Sequence, residues 1–170
     1  LIELLAAGNA QSTCLSAANS APLSYSALRQ LSQYVKTAFN QVGIGRNDRV
    51  ALVLPNSAEM AASFVTVACC CTAAPLNPSY RADEFEFYLN DLNAKALVVE
   101  KGSSSPAVAV AAKMGIALIE LEPSPTLGAG SFTLNMHGLV AKVAQHPGDA
   151  QADDVALVLH TSGTTSRPKI

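Results

Sequence analysis

Asp48-Arg49-Val50-Ala51-Leu52-Val53-Leu54-Pro55-Asn56-Ser57-Ala58 is the stretch whose reading decides the fold. Its apolar residues run unbroken from Val50 to Leu54 instead of alternating. Such a run belongs to a strand covered on both faces, so residues 49–54 are predicted to form a fully buried strand. Pro55-Asn56-Ser57 then turns the chain into a helix expected from about Ala58 to Cys71, with Met60, Phe64, Val67 and Cys71 on one face.

The same alternation extends in both directions. Upstream, a short first helix and a possible strand near Cys14-Leu15-Ser16-Ala17 precede Ser24, which is placed to cap a helix carrying Leu28, Leu31, Val35 and Phe39 at helical spacing. Gly43 and Gly45 stop that helix. Downstream come a short strand at Ala73–Leu76, a helix near Asp83–Leu92, a strand at Ala96–Val99, a helix at Pro106–Lys113 and a strand at Ile116–Ile119. Crossovers of a dozen or more residues favour parallel pairing, so the expected class is α/β: an open, mostly parallel sheet with helices on both faces. Residues 122–130, rich in Pro and Gly, read as a surface loop. A short helix around Gly138–Ala144, a polar loop at His146–Asp149 and a last strand at Val155–His160 complete the pattern.

Composition excludes several functions. With 49% hydrophobic and 14% charged residues in a chain of 170, there is material for a buried core, and disorder is not expected. A formal net charge of -2 without charge runs argues against nucleic acid or anionic lipid as partners. No apolar run reaches the roughly 20 residues of a membrane span, and Leu1-Ile2-Glu3-Leu4-Leu5 lacks the features of a secretory signal, so a soluble protein is expected. Cys69-Cys70-Cys71 fan out around a helix and read as small buried hydrophobes instead of metal ligands; with Cys14 unpaired, they suggest a reducing compartment.

Chemistry concentrates after the last strand. Thr161-Ser162-Gly163-Thr164-Thr165-Ser166-Arg167-Pro168-Lys169 holds five hydroxyls, two cations, a Gly and a Pro in nine residues. Hydroxyls and backbone N–H groups donate to phosphate oxygens, Gly163 permits close backbone approach, and Lys169 adds a mobile positive charge. Ligands of open α/β sheets bind beyond the carboxyl ends of the strands, which is where this run begins. Composition alone would equally suit a Ser/Thr-rich surface loop.

Order separates the two readings. Thr161-Ser162-Gly163-Thr164-Thr165-x-x-Pro168-Lys169 resembles the signature loop of the adenylate-forming (acyl-CoA synthetase) superfamily. Asp48–Glu59 resembles that family's early strand-turn-helix, and Ala74-Pro75-Leu76-Asn77-Pro78-Ser79-Tyr80 followed by Glu84 resembles its next landmark. Glu84–Leu89 together with His160–Lys169 looks most like plant and fungal oxalate–CoA ligases, the 4-coumarate–CoA-ligase-like, peroxisomal-type group. Ser166, where Gly is commoner, and Ile170, where Gly often follows Lys, depart from the superfamily's commonest pattern, and Ser166 fits that group.

The resemblance implies that residues 1–170 are the amino-terminal part, and first subdomain, of a larger adenylation domain, breaking off after the phosphate loop. It also implies a reaction in which ATP with Mg²⁺ activates a carboxylic acid as acyl-AMP, and coenzyme A then takes the acyl group. Thr161, Ser162, Gly163, Thr164, Thr165 and Lys169 would bind the ATP phosphates. The principal catalytic lysine would lie beyond Ile170, so this chain is expected to be inactive alone. Oxalate is the expected acid, with 4-coumarate or a fatty acid as alternatives, and a non-catalytic nucleotide-binding or interaction module is the rival class. The expected compartment is cytoplasmic, with the peroxisome as alternative.

Other patterns are decoys. Gly43-Ile44-Gly45 and Gly128-Ala129-Gly130 lack the third Gly of a dinucleotide turn, and no Walker-type loop is present. Arg81, Asp83 and Glu84 read as helix-start charges. His137 and His146 carry no metal or triad pattern. His160 could line a nucleotide or acid pocket, or be a packed residue at a strand end, and the sequence leaves both open.

Overall fold

The computed structural model describes residues 1–136 and 138–160. In chain order, the elements are α1 (Ile2–Ala7), β1 (Thr13–Leu15), β2 (Leu23–Ser24), α2 (Tyr25–Gln41), β3 (Arg49–Val53), α3 (Ala58–Ala68), β4 (Thr72–Pro75), α4 (Ala82–Asp91), β5 (Ala96–Glu100), α5 (Pro106–Met114), β6 (Ala117–Pro123), a 3-10 turn (Pro125–Leu127) and β7 (Phe132–Asn135). β1 and β2 form a small antiparallel pair before α2. The main sheet has the order β4-β3-β5-β6-β7. Its first four strands are parallel, and β7 pairs antiparallel with β6.

Serines begin three of the helices. The hydroxyls of Ser24, Ser57 and Ser105 accept from the backbone N–H of Ala27, Met60 and Ala107 at 3.2, 3.2 and 3.3 Å, each satisfying a donor that the first turn leaves free. At the end of α5, Gly115 adopts φ 68°, and Ile116 donates back to the Ala111 carbonyl.

The continuous apolar strands are buried on both sides, as their sequence demands. Val50, Leu52, Ala96 and Val98 face α2 and α3, packing with Val35, Phe39, Ala62 and Val67. The intervening Ala51, Val53, Leu97 and Val99 face α4 and α5, packing with Phe85, Leu89, Val110 and Ala111. Each fully buried side chain of Val, Leu or Phe size is worth about 1.5–3 kcal/mol of transfer free energy. One sheet therefore serves two cores, and the open, mostly parallel architecture with helices on both faces is the one observed.

Several local expectations are corrected. The helix expected to reach Cys71 ends at Ala68; of its expected face Val67 is buried, whereas Met60 and Phe64 are only partly covered and Ala62, Ser63 and Thr66 make up the rest of the buried side. Cys69–Cys71 follow the helix as a buried turn into β4 instead of fanning around it. The expected loop at 122–130 includes the end of β6, and Gly128 and Gly130, at φ 119° and 77°, turn the chain back into β7, where Phe132 supplies core.

No helix forms at 138–144. Lys142 and Ala144 donate their N–H groups to the carbonyls of Gln41 and Asn40, serving the free carbonyls at the end of α2, and only Ala144 is buried there. The last expected strand is reduced to one parallel bridge, Ala73 with Leu157. Ala73 donates to Ala156 and accepts from Val158, both at 3.0 Å. The next donor on that side of β4 would be residue 75, a proline without an N–H, so the ladder ends.

Candidate functional site

The six residues expected to hold phosphate, Thr161, Ser162, Gly163, Thr164, Thr165 and Lys169, lie outside the described residues, as does His137. What the structure shows is how the chain is led to them. Segment 142–160 runs past the end of α2, across the start of β3 and along β4.

Close backbone packing begins the path. A Cβ placed on Gly45 would lie 2.4 Å from the His146 carbonyl oxygen, so only glycine lets the two backbones meet. Arg46 N–H donates to that same carbonyl at 2.8 Å. Lys36 pairs with Asp149 at 2.8 Å, and the Gly148 N–H reaches the Asn40 side chain at 2.9 Å.

A latch of polar side chains follows. The Arg46 guanidinium grips Asp154 in two-pronged fashion, Nε to Oδ2 at 2.6 Å and Nη2 to Oδ1 at 3.1 Å. Asn47, at φ 64°, donates its side-chain amide to Asp154 at 2.7 Å and accepts the Val155 N–H at 3.0 Å. Asp154 also accepts the Gln151 N–H, at 2.7 Å. The Arg46 guanidinium foremost, then the Gln151 N–H and the Asn47 amide, hold the Asp154 carboxyl well below the usual carboxylate range. The Thr72 hydroxyl donates to the Val155 carbonyl at 2.6 Å, and the Ala73 bonds carry the chain onward, parallel to β4 and toward its carboxyl end.

His160 closes the described path. Its side chain is 3% exposed, and its Nε2 lies 3.0 Å from Oδ2 of Asp91, the last residue of α4. The Tyr88 ring, one turn earlier on α4, meets the imidazole edge-on at 4.7 Å between centroids, and Tyr80 stacks on the Tyr88 ring, also at 4.7 Å. The Tyr80 hydroxyl and then burial push the Tyr88 phenol up to about 12. His160 is thus a packed residue, yet its Nδ1 is buried with no hydrogen-bond partner among the described residues.

The remaining sequence candidates are structural. Glu84 accepts the Arg81 N–H at 2.9 Å and Arg81 pairs with Asp83 at 3.2 Å, both at the start of α4. Cys69, Cys70 and Cys71 are buried and free, burial pushing the Cys69 thiol up to about 11. The His146 side chain is exposed. Sequence reading missed Asp91, Tyr88 and the Arg46–Asn47–Asp154 latch. Asp91 and His160 are 69 positions apart and Arg46 and Asp154 are 108 apart, so no local spacing links either pair.

A mostly parallel sheet with helices on both faces is the architecture whose ligands lie beyond the carboxyl ends of the strands, the direction in which residues 155–158 run beside β4. Residues 3–170 match the AMP-binding enzyme family, and the chain belongs to that adenylate-forming superfamily. The chain is 37% identical to "Probable CoA ligase CCL9" of Humulus lupulus over 159 residues, covering 86% of this chain and 28% of that protein. It is 40% identical to "Oxalate--CoA ligase" of Arabidopsis thaliana over 138 residues, covering 76% of this chain and 25% of that one. Among solved structures, ATP-bound MatB from Rhodopseudomonas palustris superposes with a TM-score of 0.75 at 25% identity, over 99% of this chain and 33% of its own. The chain therefore spans about a quarter to a third of the length of these relatives.

Proposed function

We propose that these 170 residues are the first part of the large adenylation domain of an ATP-dependent acid–CoA ligase, with oxalate as the acid. The observation that carries the reading is the family match through residue 170, which takes in the Thr161–Lys169 run together with the strand-turn-helix at 48–59. Thr161, Ser162, Thr164 and Thr165 donate to the β- and γ-phosphates of ATP, Gly163 lets the backbone close over them, and Lys169 offsets charge on the departing pyrophosphate. The acid carboxylate attacks the α-phosphorus, pyrophosphate leaves, and the CoA thiolate then displaces AMP from the acyl carbon. Mg²⁺ would arrive on the triphosphate, since it keeps several waters and is usually bound through substrate phosphates.

Oxalate is supported by the 40% identity to the Arabidopsis thaliana enzyme, set against the lower similarity, 28%, to the fatty-acid ligase FadD13 of Mycobacterium tuberculosis. Pyrophosphate release by the full-length protein, compared across oxalate, 4-coumarate and a long-chain fatty acid, tests the assignment. Release highest with oxalate is expected. Release with another acid only would move the specificity, and none with any acid would sink the ligase reading in favour of a nucleotide-binding module. Residence in the cytoplasm or the peroxisome belongs to the same proposal, and imaging of a tagged full-length protein decides it.

A further inference from the structure

Cys70 and Cys71 meet at the turn that joins α3 to β4. The Cys71 thiol donates to the Cys70 sulfur across 3.8 Å, and the Cys70 thiol donates to the Thr66 carbonyl at 3.7 Å. The backbone holds both in place: their N–H groups donate to the Val67 carbonyl at 3.0 and 2.8 Å, and Thr72, the next residue, donates to the Asp48 carbonyl at 2.9 Å. Two sulfurs are therefore presented side by side at a fixed spacing.

Bond lengths decide what that spacing suits. A disulfide usually joins residues whose Cα atoms lie about 4.4–6.8 Å apart, whereas sequence neighbours are held at about 3.8 Å, so closing one here would strain the turn. Bonds from sulfur to a thiophilic centre of zinc's size run about 2.3 Å; two of them span about 3.8 Å at a tetrahedral angle and about 4.6 Å in a line. The observed 3.8 Å fits a bent centre. A tetrahedral zinc site would need further protein ligands, and no group of three or more His, Cys, Asp or Glu gathers among the described residues. Cys69, the third thiol of the run, is engaged by Ser32 on α2. The bridging centre must bring its remaining substituent with it, as arsenic bonded to one carbon does.

We propose that Cys70 and Cys71 form a dithiol site for trivalent organoarsenicals. On capture two S–H bonds and the arsenic–oxygen double bond break, two As–S bonds form, and the oxygen leaves with both protons as water; arsenic stays trivalent and no oxidant is consumed. The Cys70 contact and then burial hold the Cys71 thiol well above its usual range, which keeps it from reagents that need a thiolate. Both side chains are buried, so entry needs local opening. Ala150 donates to the Cys69 carbonyl and the Thr72 hydroxyl to the Val155 carbonyl, anchoring segment 150–155 on either side of the pair. The Arg46–Asp154 latch holds that segment, and its release sets the rate of capture.

Phenylarsine oxide added to the folded full-length protein tests the site. Peptide mapping by tandem mass spectrometry should place one phenylarsenic, with two hydrogens lost, across Cys70 and Cys71. Cys70→Ser and Cys71→Ser should each need at least about a hundredfold more reagent for half-occupancy, since one As–S bond then acts without its neighbour. Cys69→Ser should stay within about threefold of the parent, and Asp154→Asn should be captured faster to the same end point. The parent's map involves no substitution, so it judges the site even where a variant fails to fold. A bridge that includes Cys69, loss of two hydrogens without arsenic, capture only after unfolding in urea, or an unchanged half-occupancy in Cys70→Ser would overturn the proposal. Capture of Asp154→Asn no faster than the parent would overturn the entry route.

Discussion

Gly45→Ala tests the path of segment 142–160 most directly, since it adds one methyl group where two backbones touch. The new Cβ would sit 2.4 Å from the His146 carbonyl oxygen, 3.0 Å from the carbonyl carbon and 3.1 Å from the Ala144 Cβ. Ordinary contact begins near 3.4 Å, so segment 144–146 must retreat by about 1 Å. That stretches the 2.8 Å bond from Arg46 N–H to the same oxygen beyond hydrogen-bonding range. The lost bond costs about 1 kcal/mol and the forced backbone shift about 1–3 kcal/mol. Reduced freedom of the unfolded chain returns about 0.4–1 kcal/mol, for a net loss of about 2 kcal/mol. In a protein of this size that lowers Tm by roughly 4–8 °C. Gly8→Ala is the control: its φ is −95° and nothing lies within 4 Å of the added methyl, so it should be neutral or stabilise by up to about 1 kcal/mol. Urea melts with unchanged slope would measure both. A Gly45→Ala protein within about 0.5 kcal/mol of the Gly8→Ala protein would refute the close approach and the path built on it.

Two further outcomes follow from the core and the latch. Leu97 is fully buried in the centre of the sheet and packs toward α4 and α5; Leu97→Ala removes roughly three carbons at about 0.8 kcal/mol each and leaves a cavity. A loss of about 3–4 kcal/mol by denaturant melt is expected, and a loss under about 1 kcal/mol would mean that the second core does not close over this strand. Because the folded carboxyl of Asp154 is held below its unfolded range, its contribution is complete above about pH 4 and is lost as pH falls further, through the depressed folded value. Asp154→Asn should therefore be less stable than the parent at pH 7, and the gap should narrow as both are melted toward pH 3. A gap of constant size would show that the latch carboxylate is not what titrates.

Much of the fold was legible because its causes are local. The unbroken run at Val50–Leu54 marked a strand covered twice, and its successive residues do divide between the two cores. Ser24 marked a helix start, since a cap needs only a hydroxyl within three residues of a free N–H, and Ser57 and Ser105 cap two more helices in the same way. Where local signals erred, a distant partner had overruled them. The apolar run 155–160 reads as a strand, but Pro75 on the neighbouring strand withholds the next donor. Residues 138–144 read as a helix, but the free carbonyls of Gln41 and Asn40 claim their N–H groups.

The sequence by itself determined the class of the sheet, through patterns that repeat within a few residues, and it placed the Thr161–Lys169 run in family order. Only the tertiary structure decided the strand order β4-β3-β5-β6-β7, the reversal into β7, and the meeting of His160 with Asp91 and of Arg46 with Asp154. Those contacts join residues tens of positions apart, and their geometry exists only once the crossovers have set which strand lies beside which. A side chain's chemistry is written in its residue type, but its partner is chosen by the packing of the whole sheet.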